Sequence, residues 1–160
     1  MKKIISKHKE FWTEWYLLTE VILGSLMLVM SLIVTYYANA YTFSRASNSV
    51  TDLLLEYLPV WNMNFIFNEG ATIFIFILSF IVLSEPSRIS FTLKTISIFL
   101  FTRSIFMTLT HLGAPLDALR IDNGDYIYKM SSGNDLFFSA HTGLPFLMAI
   151  IFWKNQPARY

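Results

Sequence analysis

Cysteine is absent from all 160 residues. That excludes disulfides, thiolate metal sites and a cysteine nucleophile. Charge is scarce as well: only 14% of residues are Asp, Glu, Lys or Arg, against roughly a quarter in a soluble domain. The formal net charge of +1 gives no reason to expect a nucleic-acid partner. Internal repeats, low-complexity tracts and a recognisable soluble domain are also missing. What fills the chain instead is apolar, at 54% of all residues, and this balance is that of a membrane protein.

Four stretches are long and apolar enough for a bilayer whose hydrocarbon core takes roughly 20 helical residues to cross. The expected fold is therefore all-α, a polytopic membrane helix bundle with helices near 18–38, 65–84, 89–112 and 136–153. Gly24, Ser25 and Ser31 in the first are small residues suited to close helix contact. The second reaches its length only by extension back through Phe65, Ile66 and Phe67, which places Glu69 near one interface. Tyr36, Tyr37, Tyr41, Trp61 and Trp153 fall near the proposed boundaries, where interfacial aromatics belong.

Cation placement sets the expected orientation. With a cytosolic N-terminus, that side collects Lys2, Lys3, Lys7, Lys9, Arg88, Lys94, Lys154 and Arg159, and the other side has Arg45, Arg120 and Lys129. The expected domains are a cytosolic segment 1–16, a transmembrane region 17–153 and a cytosolic tail 154–160, with an outer loop from Ala114 to Asp135. The stretch "YYANAY", with Ala38 and Ala40, imitates a signal-peptide cleavage site. A leader ending there would be about 40 residues long against the usual 15 to 30. Its charged start is also interrupted by Glu10, Glu14 and Glu20, so the first helix is read as retained.

Chemistry is sought among the residues that a membrane makes costly. Arg103 lies within the third helix, and an arginine at mid-membrane faces a polar interior, a bound anion or a carboxylate partner. Met107, Thr110 and His111 continue its helical face. Glu69 is available as a structural partner, and that alternative stays open beside anion binding. The second cluster is "SSGNDLFFSAHTGLPF", Ser131 to Phe146. Asp135 or Ser139 can cap the fourth helix, whose first-turn amides then present the positive end of its dipole to an anion. His141 follows within the first turns, either as a packing residue or as a titratable group at that site. Pro145 returns no N–H to the carbonyl of His141, so a bend is expected there.

"SSGNDLFFSAHT" resembles a motif of the sphingomyelin synthases and related phospholipid-ceramide phosphotransferases, in which an acidic residue precedes Ser-Gly-His-Thr. "TRSIFMTLTHLGAP", Thr102 to Pro115, is similar to their preceding arginine-serine motif. "VTDLLLEYLP", Val50 to Pro59, is similar to the segment after their first helix. The order and spacing also match across most of Val50 to Trp153.

This resemblance implies the front part of the six-helix core of the type 2 phosphatidic acid phosphatase superfamily, with a phosphohistidine mechanism. It implies that His141 protonates the departing lipid alcohol and that Ser139, Ala140 and the following amides cradle the phosphate. Arg103 would stabilise phosphoryl charge, with Asp135 as the acidic residue of the motif. The partners implied are membrane lipids, a phospholipid donor and a ceramide or diacylglycerol-like acceptor, at the non-cytosolic face. No metal and no cofactor is expected.

Two departures stand out. Ala140 replaces the usual glycine, and the family's attacking histidine, in a His-x-x-x-Asp pattern on a later helix, has no match. The other histidines are His8, expected on the cytosolic side, and His111, with Asp117 six residues on rather than four. The chain is accordingly expected to be the N-terminal part of such an enzyme. The other readings are a lipid phosphate phosphatase with water as acceptor and a truncated, non-catalytic membrane protein.

Overall fold

From Trp15 to Ser44 the chain contains one glycine and no proline, and these residues form a single 30-residue helix, α1. It belongs to a computed structural model that describes residues 8–9, 11–45, 57, 64–110 and 139–153. Three further helices follow: α2 (Asn64–Ser84), α3 (Ile89–Thr110) and α4 (Ala140–Ile151). No strand occurs among the described residues.

Two of the helices lie within two residues of the expected bounds over their described residues, whereas α4 begins at Ala140, after Ser139 at its N-cap, and not at 136. α1 runs on through "NAYTFS" to Ser44 instead of stopping at Ala38. The reason is packing: Ala38, Asn39 and Thr42 are buried, and the Thr42 hydroxyl donates to the carbonyl of Met107 at 3.3 Å, so this extra turn rests against α3. Between α2 and α3, Pro86 opens a three-residue 3₁₀ turn, Pro86–Arg88. Its fixed φ suits the first position of such a turn. The Arg88 amide donates to the Glu85 carbonyl at 2.9 Å, and the chain reverses within a few residues.

α1 and α3 make the closest contact, and they run parallel. Glu20 pairs with Lys94, and the Ser90 hydroxyl donates to the Glu20 carbonyl at 3.1 Å. Further along, Thr35 and Ser104 share a hydrogen bond of 3.1 Å. Small side chains make the approach possible. A Cβ on Gly24 would lie 3.1 Å from the Cβ of Leu93 and 3.3 Å from the Ser90 carbonyl oxygen. Ser31 and Ser97 are fully buried, each returning its hydroxyl to its own helix, at Leu28 and Leu93. Where lipid tails are as apolar as leucine, such close packing and interhelical hydrogen bonds hold helices together. Ser25 was expected at the contact too, but it is exposed and bonds to the Val21 carbonyl.

Direction alternates along the chain. The His8 imidazole bonds the carbonyl of Leu83, near the end of α2, at 2.6 Å. Arg88, just before α3, donates to the carbonyl of Ile151 at the end of α4 at 3.1 Å. One end of the bundle, the proximal end, thus gathers His8, Leu83, Arg88 and Ile151. The distal end carries Arg45, the start of α2, Thr110 and the start of α4.

Two helices are long and apolar enough to cross a membrane, Trp15–Ser44 and, counting its leading turn, Pro86–Thr110. Their most apolar 18-residue stretches are only 11% and 33% buried, far too little for core helices of a soluble protein. Exposed Leu26, Met30, Ile73, Phe76, Phe80 and Phe91 are among the many large apolar side chains facing outward. A helix apolar on every side and left uncovered is suited to hydrocarbon.

Candidate functional site

Arg103 is 3% exposed. Burial of that guanidinium has to be answered by polar groups or an anion, because an ionised group without them bears a large desolvation cost. Met107, one turn further along α3, is buried with it, as the expected inward stripe requires. Glu69, the alternative carboxylate partner, is exposed on α2.

The height of α4 against α3 is fixed by two contacts. Arg88 reaches the Ile151 carbonyl at the proximal end, and its guanidinium lies 5.6 Å from the centre of the Phe152 ring. This cation satisfies an orphan carbonyl at a helix C-terminus, where the dipole also favours positive charge. Higher up, Phe99 lies against the backbone of Gly143 so closely that a Cβ there would be 2.4 Å from its Cζ. Arg103 is four residues above Phe99 on α3, and Ser139 is four residues above Gly143 on the antiparallel α4. At 1.5 Å per residue both rises are about 6 Å. The register therefore sets Arg103 level with the N-terminus of α4, with His141 about 3 Å lower along the axis.

Ser139 occupies the N-cap position with extended φ and ψ of −68° and 118°, as the sequence suggests, but its hydroxyl makes no capping hydrogen bond. Its carbonyl accepts from the Gly143 amide at 3.0 Å. That bond is the first of the helix ladder, and the amides before it lie at the helix start, where intrahelical acceptors are lacking. No acidic residue occupies the first turn of α4, so no side chain of that turn offsets the positive end of its dipole. The helix continues through Pro145 to Ile151. His141 and Ala140 are half-buried in its first turn. Asp135, His111 and Asp117 lie outside the described residues, as does the segment Val50–Pro59 apart from Tyr57.

One contributor was not foreseen. Asn39 is 6% exposed and lies on α1 between Thr35, which bonds Ser104, and Thr42, which bonds the Met107 carbonyl. It therefore lies between the heights of Ser104 and Met107 on α3, within about a turn of Arg103. Its sequence signal was available, since an amide side chain inside an apolar helix is costly and marks a polar interior. The Phe99–Gly143 contact had a fainter signal, a glycine inside a helix.

A buried guanidinium, a helix start and an imidazole thus stand at about one level of the distal half, with a carboxamide about a turn further on. Together they can hold an oxyanion and place a proton donor beside it. No protein-family model, curated protein or solved structure matches the chain. The geometry carries the functional argument by itself.

His8 has no part in this site. Its Nδ1 accepts from the Trp12 indole at 3.2 Å and its Nε2 bonds Leu83, both at the proximal end. Arg103 stands fifteen residues beyond Arg88, about 22 Å away along the axis. Among the described residues no group of His, Asp and Glu is arranged to hold a metal ion.

Proposed function

We propose that this chain is a membrane protein of four spanning helices that binds the phosphate of a lipid head group at its distal, non-cytosolic end, in the manner of the lipid phosphotransferases its motifs resemble. The observation that carries the reading is the level of Arg103 against the N-terminus of α4. A buried guanidinium and a helix N-terminus, each suited to an oxyanion, stand on different helices at about one height, and this supports the reading, with a histidine in the same turn.

In this reading the planar fork of Arg103 takes two phosphate oxygens, and the positive end of the α4 dipole faces the others. His141 stands on the leaving-group side as the general acid. An alkoxide of a diacylglycerol is a poor leaving group, and an imidazolium donates a proton to it near neutral pH. Four spans, with α2 and α4 inserted beside α1 and α3, bring His8, Arg88 and Lys94 to the cytosolic side, in keeping with the bias of cations.

The test is equilibrium binding of a short-chain phosphatidic acid to the purified chain in neutral detergent, against diacylglycerol of the same chain length. The wild type is expected to prefer the phosphate-bearing lipid. Arg103→Leu should lower that affinity by about ten-fold or more, the scale of a lost charge-assisted hydrogen bond. Arg103→Lys should recover only part of it, since the ammonium lacks the fork. Unchanged preference in Arg103→Leu overturns the assignment.

A further inference from the structure

A second feature of the distal half lies on the other flank of the α1–α3 seam. A cavity of about 350 Å³ is lined by Val34, Tyr37, Ala38 and Tyr41 of α1 and by Phe101, Ser104, Ile105 and Thr108 of α3. Arg103 is two residues from both Phe101 and Ile105, hence about 160° around the helix from each. The cavity is thus separate from the candidate phosphate site.

Its shape follows from the packing. Ala38 is buried and Ser104 is buried, and both are small, so the seam is shallow there. Tyr37, Tyr41 and Ile105 are 67%, 46% and 58% exposed and stand as walls. The trough ends at Val34 and Phe101, partway along both helices, and runs distally toward Arg45, the exposed C-cap residue of α1. The lining on α1 runs from Val34 to Tyr41, about 10 Å, and Arg45 follows one turn beyond, so that Val34 to Arg45 is about 16 Å, close to one leaflet of a hydrocarbon core about 30 Å thick.

We propose that this trough binds one acyl chain of a phospholipid from the distal leaflet, with the lipid phosphate at Arg45 and a preference for a head group of net negative charge. The inference rests on reading α1 and α3 as membrane-spanning. A packing helix would need an apolar face along the full span, whereas this trough stops near mid-membrane. An acyl chain has that length and tolerates a narrow floor. The charge order also fits: apolar walls, then two tyrosines whose polar tips suit the interface, then a cation where phosphate lies.

The experiment uses the chain in vesicles of phosphatidylcholine carrying a trace of photoreactive phosphatidylglycerol or phosphatidylcholine, each with a diazirine in one acyl chain, and maps adducts by mass spectrometry. Alkaline extraction is run first. Release of the chain from the vesicles defeats the membrane reading and this inference with it; retention leaves the trough to be judged on the adducts alone. The phosphatidylglycerol probe is expected to label Tyr37, Tyr41, Phe101 and Ile105 above the equally apolar Phe76 and Phe80 of α2. It should exceed the phosphatidylcholine probe by about five-fold, the scale one arginine supplies at an anionic head group. Arg45→Gln should erase the difference between probes. Thr108→Trp, which fills the trough from its rim, should reduce trough adducts and leave those on α2 unchanged. Equal labelling of trough and α2, or a trough that stays unlabelled while α2 is labelled, overturns the proposal.

Discussion

Ser139 stands at a helix N-cap and leaves its hydroxyl out of the cap. Replacing a capping serine by alanine ordinarily costs about 1 kcal/mol, but here no capping bond is lost. Ser139→Ala should therefore leave thermal stability in detergent within about 0.5 kcal/mol of the parent, and a larger loss would show that the hydroxyl carries structure. Thr92 makes the opposite case. It is 2% exposed, and its hydroxyl has no hydrogen-bond partner among the described residues. A buried unmade hydrogen bond costs about 1 to 3 kcal/mol, so Thr92→Val, which keeps the shape, should unfold at the same temperature or higher. Residues of this kind explain what sequence alone conveyed about the site. Arg103 was conspicuous because charge in an apolar run is costly in itself. Asn39 was not, because only its height on the seam between Ser104 and Met107, set by the Thr35 and Thr42 contacts, brings it near that level.

At the scale of helices, apolar length was legible and register was not. Bounds such as Ile89 for α3 followed from the proline and charges before it, while the true end of α1 at Ser44 depended on what Ala38 and Thr42 meet across the seam. The partner choice was equally hidden. Alternation makes α1 and α3 run the same way, but nothing in the order of helices says that they lie close together; the small residues Gly24, Ser31 and Ser97 permit it, and Thr35 with Ser104 bonds across it. The α3–α4 register depends on Phe99 lying over Gly143, so Gly143→Ala should force the ring aside. Overpacking of this sort costs about 1 to 3 kcal/mol. Phosphatidic acid binding should weaken along with thermal stability, and Phe99→Leu in the same chain should restore both. Failure of that second change to rescue would separate the glycine from the register it is argued to set.

For the whole molecule, the proximal and distal ends make a sidedness prediction in a chain already free of cysteine. Single cysteines at Lys9 and Gln156 should stay unlabelled by an impermeant thiol reagent in intact cells, while one at Ser44 should react. Labelling at Lys9 or Gln156 reverses the orientation and moves the candidate phosphate site to the cytosolic face. Turnover can be anticipated too. A phosphohistidine route needs an attacking imidazole in addition to the acid, His8 is at the wrong end, and His111 departs from the required pattern. Purified chain with labelled phosphatidylcholine and ceramide should yield neither sphingomyelin nor free phosphocholine. Turnover that disappears in His111→Ala would identify His111 as the nucleophile.

The pairing of Glu20 with Lys94 across the α1–α3 seam also governs the order in which the protein is made. When α1 leaves the ribosome, its partner is still seventy-odd residues from being synthesised, so α1 first enters the bilayer with an acidic side chain that has no counter-charge and a row of small residues packed against nothing. α2 is made next and must stand aside, because the surface it could block is reserved for a helix not yet made. Only when Lys94 arrives can the seam close. Biogenesis therefore contains an interval in which the half-made chain is held by hydrophobicity alone, and substitutions at Gly24 or Glu20 should be felt there, as quality-control loss during insertion, before they are felt in the finished bundle.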